Sequence, residues 1–251
     1  MASLRKPVVP PVVKHEYWEY RTPDLHVDSK MSLKNSIKNA FLPSGRRQLR
    51  ILAGPASGLI MELDLQSQSQ RLLGLDEREI AESIVWLADK CKSLVDIGAN
   101  DGYYTLIFLR SPARQVVACE PGPVMERLVS NAAANNFAPN KRFSLIQDPI
   151  GTGAGAMPAS SLVNNLPGPV FIKMDVDGAE IDVLLSCEDS KRLRELYWLV
   201  ETHSPALEDQ CSQWFCKHGY RTKVIANAWW RLILPELRPL EQNRWLLAQP
   251  K

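Results

Sequence analysis

Residues 93–102 of the sequence read SLVDIGANDG, an apolar run that passes directly into a loop containing two glycines. The run 93–97 has the length and composition of a buried strand, and helical periodicity resumes near Tyr103. The glycines allow the backbone to turn tightly and to approach a ligand with no side chain in between. The stretch therefore predicts a strand, a ligand-binding loop and a helix in succession.

The pattern that begins at residue 93 repeats along the chain. Further short apolar runs occupy 115–119, 143–146, 170–174 and 196–200, and they alternate with helical segments near 103–110, 123–136, 178–186 and 205–218. Two more strands are expected at 220–225 and 244–248. Alternation of this kind is typical of a parallel sheet covered by helices on both faces, so the sequence predicts an α/β, Rossmann-like fold.

The chain divides into three parts by local composition. Residues 1–45 contain five prolines and little apolar periodicity, which indicates an irregular N-terminal extension. Residues 46–75 read as two short strands around the turn 54–58, a hairpin followed by a connector. Residues 76–251 are expected to form the Rossmann-like domain.

Composition narrows the classes of function. The 251 residues carry a formal net charge of only +2, which gives no argument for a nucleic-acid partner. No apolar stretch reaches the roughly 18 residues that a membrane helix needs, so no membrane span is expected. Five cysteines, an odd number, fit free thiols in a reduced compartment, and we expect a cytoplasmic protein.

The glycine loop favours a nucleoside ligand over a dinucleotide. It reads Gly98-x-Asn100-x-Gly102 rather than Gly-x-Gly-x-x-Gly, and Asp96 stands two residues before the first glycine. A carboxylate there would repel a pyrophosphate, but it could hold the ammonium of a bound amino-acid moiety directly or through water. Glu120 ends the second strand, twenty-two residues past Gly98, where an acid accepts hydrogen bonds from ribose hydroxyls.

Three acids crowd the end of the strand at 170–174. Asp175 belongs to the strand end itself, where open α/β folds place their ligands, and it is the better catalytic candidate. Asp177 and Glu180 could belong to the same site. They are three residues apart, however, and fit a helix N-cap with its capping box equally well. Both interpretations of that pair remain open on the sequence alone.

The next strand, at 196–200, ends in Glu201 and His203 on the same rim. Either Asp175, or His203 acting with Glu201, could remove a proton from an acceptor hydroxyl. The same three residues could also supply metal ligands, but their spacing is not diagnostic and no metal is predicted.

The chain from about Arg50 onward resembles the FkbM-type S-adenosylmethionine-dependent methyltransferases. The segment 172–180, in which a lysine precedes Asp-Gly-Ala-Glu, is the most specific piece, whereas the glycine loop is shared by many methyltransferases. The matching stretches are 54–58, Gly74 with Glu77, 95–104, 120–121, 172–180, 201–203, 219–220 and 243–246.

The resemblance implies a seven-stranded sheet with an antiparallel last strand. It also implies S-adenosylmethionine as methyl donor, S-adenosylhomocysteine as product, and O-methylation of a sugar, glycan or natural product. It places Glu120 at the ribose and Asp175 at the reactive centre. The expected cofactor contacts are Asp96, Gly98, Asn100, Asp101, Gly102, Tyr103, Glu120, Pro121, Asp148 and Asp175. This chain departs from the family in having Asp177 where a glutamate is usual, and in a short, glycine- and alanine-rich stretch over 148–170.

Two other functions remain open on the sequence. One is an NAD-dependent oxidoreductase on a related fold, against which the glycine spacing counts. The other is a non-catalytic nucleoside-binding module that docks a partner through Trp214, Trp229 and Trp230, although tryptophans in these positions are better suited to the core or to an acceptor pocket. A small-molecule or glycan acceptor, with no nucleic acid, is the expected partner.

Overall fold

A computed structural model of the protein describes residues 41–112, 114–227 and 244–251. The strands are β1 Arg46–Arg50, β2 Ile60–Asp64, β3 Ser93–Ile97, β4 Gln115–Cys119, β5 Phe143–Ile146, β6 Val170–Met174, β7 Leu196–Thr202, β8 Tyr220–Ile225 and β9 Arg244–Pro250. The helices are α1 Leu65–Leu72, α2 Ala81–Lys90, α3 Tyr103–Leu109, α4 Met125–Ala134, α5 Ala159–Val163, α6 Glu180–Leu185 and α7 Pro205–Lys217. Within the described residues, no helix is long and apolar enough to cross a membrane.

Seven strands form one sheet in the order β5-β4-β3-β6-β7-β9-β8. The first five in this order run parallel, and β9 is antiparallel to both of its neighbours. The predicted Rossmann-like architecture with an antiparallel last strand is thereby confirmed. The chain builds outward from β3 to β5 and then crosses back to β6, so the order reverses between β3 and β6. In open α/β sheets, ligands bind beside the carboxyl ends of the strands at such a reversal.

Because the sheet is pleated, alternate side chains along each strand pack into two separate hydrophobic cores, one on each face. Leu94 and Phe171 pack with α2, α3 and α4 on one face, while Val95 and Ile172 pack with α5, α6 and α7 on the other. Side chains two residues apart on a strand share a face. Asp96 and Lys173, which are register partners on β3 and β6, therefore lie on the α3 face near the carboxyl edge.

The β1–β2 ribbon is held against α4 by two asparagine side chains. Asn135 Oδ1 accepts from the Ile60 amide at 2.9 Å, and Asn135 Nδ2 donates to the Ile60 carbonyl at 2.6 Å. Asn131 Oδ1 accepts from the Glu62 amide at 2.8 Å, and its Nδ2 donates to the carbonyl of Asp101 at 2.9 Å. The same helix thus braces both the ribbon and the loop that follows β3.

Candidate functional site

The loop after β3 is pressed between the ends of β4 and β6. Gly98, Asn100 and Gly102 all have positive φ, at 75°, 49° and 89°. The Gly98 amide donates to the Cys119 carbonyl at 2.9 Å. A Cβ built on Gly98 would lie 1.8 Å from the carbonyl oxygen of Asp175, so only glycine fits there.

Glu120 lies where the second strand meets this loop. Its Oε2 accepts from the Asn100 amide at 3.0 Å and its Oε1 from the Gly122 amide at 2.8 Å. A carboxylate has about four acceptor positions, so Glu120 keeps capacity for further donors such as ribose hydroxyls. Pro121 and Asp148, also expected at the cofactor, are exposed. Their contacts with an adenosine group stay predictions.

Asp96 is fully buried beneath the loop. Its Oδ2 accepts from the Thr105 hydroxyl at 2.7 Å, while its Oδ1 lies 3.7 Å from Lys173 Nζ and accepts no hydrogen bond from the described residues. Burial raises the pKa of Asp96, against the opposing effects of Lys173 and Thr105. The predicted contact of Asp96 with a bound ammonium stays a prediction.

Lys173 connects the loop to Asp175 at the carboxyl edge of the sheet. Its Nζ donates to the Gly98 carbonyl at 3.0 Å, lies 3.5 Å from Asp175 Oδ2, and stands 5.4 Å from the centre of the Tyr104 ring. Burial acts to lower the pKa of Lys173, but Asp175 and Asp96 outweigh it and the pKa lies above its ordinary value. Lys173 belongs to the motif 172–180, but the sequence alone indicates no role for it.

Asp101 and Tyr103, both expected at the cofactor, contact Arg71 on α1. Arg71 lies 2.8 Å from Asp101 Oδ2 and 2.7 Å from Asp76, and its guanidinium stands 5.1 Å from the centre of the Tyr103 ring. Asp101 and Tyr103 are both buried. The two side chains therefore support the loop through the connector, and their cofactor contacts stay predictions.

Glu77, which adopts a left-handed backbone conformation at φ 45°, accepts a hydrogen bond from the Tyr104 hydroxyl. Burial raises the pKa of Glu77, and the carboxylates of Asp76 and Asp175 add to the shift. The hydroxyl of Tyr104 and the ammonium of Lys173 oppose it, and the pKa settles at about 7. This carboxyl group therefore changes its charge near neutral pH.

The raised pKa of Glu77 predicts a pH-dependent stability. Because its pKa is higher in the folded chain than in the unfolded one, its contribution is fully present below about pH 4.5 and is lost as the pH rises through about 7. The glutamine in Glu77→Gln cannot ionise, so the variant does not lose this contribution. The free energy of unfolding of the variant minus that of wild type should therefore be about 2 kcal/mol larger at pH 8 than at pH 5.5. Urea unfolding at both pH values, in chelator-containing buffer, measures this difference.

The matched control for Glu77 is Glu82→Gln, which neutralises an exposed carboxyl group on α2. Its stability should track that of wild type at both pH values. A pH-independent difference between Glu77→Gln and wild type would contradict the raised pKa.

His203 is surrounded by carboxyl groups at the ends of β6 and β7 and at the start of α6. Its Nδ1 lies 2.5 Å from Glu180 Oε1, and its Nε2 lies 3.2 Å from Asp177 Oδ1, 3.5 Å from Asp175 Oδ1 and 4.0 Å from Glu201 Oε2. The side chain of His203 is 5% exposed. Burial acts to lower its pKa, but Asp175 and Glu180 outweigh it and raise the pKa to about 9.

The structure decides between the two interpretations of Asp177 and Glu180. Helix α6 begins at Glu180, its N-cap is Ala179, and no side chain caps it. The capping box therefore does not form, and both acids face His203 instead. Asp175, Glu201 and His203, expected on one rim, do lie together there.

The strand order is that of the Rossmann-like class I methyltransferase fold. No family model and no curated protein matches the sequence. Among solved structures, precorrin-6y C5,15-methyltransferase from Geobacter metallireducens is 15% identical, over 68% of this chain and 89% of that one, with a TM-score of 0.45. Ribosomal protein L11 methylase from Lactobacillus delbrueckii subsp. bulgaricus is 10% identical, over 68% and 78%, with a TM-score of 0.46. An S-adenosylmethionine-dependent O-methyltransferase from Thermotoga maritima is 12% identical, over 67% and 64%, with a TM-score of 0.44.

Proposed function

We propose that the protein is an S-adenosylmethionine-dependent methyltransferase that methylates a hydroxyl group of a small-molecule or glycan acceptor. The observation that carries the proposal is the cradle formed by the positive-φ loop 98–102 and the carboxylate of Glu120. The rim around His203 lies at the ends of the next two strands, β6 and β7. Membership in the FkbM-type family and a cytoplasmic location stay predictions.

The residues of the cradle fit the cofactor. Glu120 would hold the ribose, since its carboxylate is fixed by two backbone amides and keeps acceptor capacity. Gly98 and Gly102 allow the positive-φ turns that shape the loop, and Asp96 lies fully buried beneath it. Once bound, the cofactor supplies a methyl group activated by a sulfonium.

Alignment and exclusion of water are the main demands of the transfer. A bound cofactor would supply the methyl group to the acceptor oxygen as its carbon–sulfur bond breaks, and the hydroxyl proton would pass to a residue of the protein. Asp175 is the better acceptor of this proton, because its side chain is 21% exposed whereas that of Glu201 is fully buried. His203 acting with Glu201 is the alternative base, and because the pKa of His203 is raised to about 9 it would accept the proton only in alkaline solution.

Calorimetric titration with S-adenosylmethionine and S-adenosylhomocysteine tests the cofactor site. Wild-type protein should bind both ligands, and Glu120→Ala should bind each about 10- to 100-fold more weakly because charge-assisted hydrogen bonds to the ribose are lost. Glu126→Ala, which removes an exposed glutamate on α4, is the control and should bind as wild type does. Absence of binding by folded wild-type protein would overturn the proposal.

The two other functions make different predictions. An NAD-dependent oxidoreductase would bind NADH in the same titration, whereas a methyltransferase would not. A binding module would need exposed aromatic side chains, but Trp214 is buried against Trp198 and Phe215. Trp229 and Trp230 lie outside the described residues. Methyl transfer in the absence of any protein partner would exclude the binding module.

A further inference from the structure

We propose that Asp175, Asp177 and His203 bind a divalent cation of the Mn²⁺ or Mg²⁺ type. In the ranges 41–112, 114–227 and 244–251, these three side chains form the group whose ligand atoms lie within 4.8 Å of one another. They follow two adjacent parallel strands, so the sheet itself brings them together.

The separations suit a common ion. Ligand atoms about 2.1 Å from an octahedral metal lie about 3 Å apart when they are at right angles and about 4.2 Å apart when they are opposite. The Nε2 of His203 is 3.2 Å from Asp177 Oδ1 and 3.5 Å from Asp175 Oδ1. Small side-chain adjustments would therefore bring all three atoms into coordination distance.

The imidazole of His203 is oriented as a metal ligand requires. Its Nδ1 is engaged by the buried carboxyl group of Glu180 at 2.5 Å. Its Nε2, on a side chain that is 95% buried, points at the two aspartates and makes no well-aligned hydrogen bond. Metal-bound histidines commonly donate their other ring N–H to a carboxylate, which fixes the tautomer and increases the basicity of the ligating nitrogen.

Charge and access also favour a cation. Four carboxyl groups, from Asp175, Asp177, Glu180 and Glu201, come within 4.0 Å of a ring nitrogen of His203. Such a concentration of carboxylates is stabilised by a divalent ion. The side chain of Asp177 is 62% exposed, so the site opens to solvent on that side. An ion there would keep coordination positions for water or for an acceptor oxygen.

The donor set indicates the kind of cation. Carboxylate oxygens suit Mg²⁺ and Mn²⁺, and an imidazole nitrogen moves the preference toward transition metals, so Mn²⁺ meets both conditions. A cation at this rim would hold the acceptor hydroxyl and lower its pKa. That role rests on the proposed methyl transfer, whereas binding of the ion does not.

Titration with MnCl₂ after chelator treatment and desalting tests the site, with the electron paramagnetic resonance signal of free Mn²⁺ as readout. Wild-type protein should bind one ion per chain. Asp177→Asn and His203→Gln should each weaken binding by at least about 10-fold, because each removes a direct ligand. Asp89→Asn, which neutralises an exposed carboxyl group on α2, is the control and should bind as wild type does.

Unaltered Mn²⁺ affinity in both ligand variants, or no binding by wild-type protein, would overturn the proposal. Circular dichroism verifies that each variant is folded, and Asp177→Asn keeps the test decisive because it changes an exposed side chain. Calorimetry with S-adenosylmethionine, on chelator-treated and Mn²⁺-loaded protein, separates the two proposals. Mn²⁺ binding without cofactor binding would support the metal site and reject the methyltransferase. Cofactor binding without Mn²⁺ binding would support the methyltransferase and reject the metal site.

Discussion

Gly98→Ala is expected to lower the free energy of unfolding by about 3 to 5 kcal/mol, the range reached when backbone strain and overpacking combine. The residue has φ +75°, which an alanine adopts only with strain, and its Cβ would lie 1.8 Å from the Asp175 carbonyl oxygen. Either the loop or the end of β6 must move to relieve the overlap. The variant should therefore also lose affinity for S-adenosylmethionine. Urea unfolding and calorimetry measure the two effects.

Gly219→Ala separates strain from overlap. Gly219 has nearly the same φ, +78°, but nothing lies within 4 Å of the position that its Cβ would take. Its replacement should cost only the left-handed backbone penalty of about 1 to 2 kcal/mol and leave cofactor affinity unchanged. If the two alanine variants were equally stable, the close approach of the loop to β6 would be refuted.

In chelator-treated protein, where no cation occupies Asp175, Asp175→Asn should reduce the turnover number by about 10²- to 10⁴-fold, the usual contribution of a general base. The amide keeps the size of the carboxyl group and can still contact its neighbours Lys173 and His203, but it cannot accept the hydroxyl proton. Affinity for S-adenosylmethionine should change little, because Glu120 and the glycine loop are untouched. Release of S-adenosylhomocysteine, with an acceptor found by screening hydroxylated compounds, measures the turnover.

Asp189→Asn is the control for this variant, since Asp189 is exposed beyond the end of α6. It should turn over as wild type does. Unchanged turnover in Asp175→Asn would reject its role as base and direct attention to His203 with Glu201.

The sheet could be predicted because its central strands are buried on both faces. A strand such as β4 or β6 must then be apolar at nearly every position, which gives a continuous run with clear ends. Helix α1 gave no such signal. Its sequence LQSQSQRL buries no residue, so neither hydrophobic periodicity nor length distinguished it from a connector.

The candidate site was predictable where strand ends alone determine position. Asp175 and Glu201 each follow a member of the register pair Met174 and Val200, so neighbouring parallel strands place them on one rim. The partners of Asp101 were not predictable, because Arg71 is 30 residues away in the sequence and belongs to no local pattern. A spacing of three residues likewise describes a capping box and a pair of carboxyl groups facing an imidazole equally well.

The position of β9 has a consequence for synthesis on the ribosome. Among the described strands, β8 pairs with β9 alone, and β9 also covers the free edge of β7. Domains form as the chain emerges, N-terminal parts first. The five parallel strands can therefore assemble early, but β8 has no neighbour in the sheet until residues 244–250 leave the exit tunnel. Until then β7 presents unpaired backbone groups to other nascent chains, so completion of the sheet and protection from aggregation depend on the same seven residues.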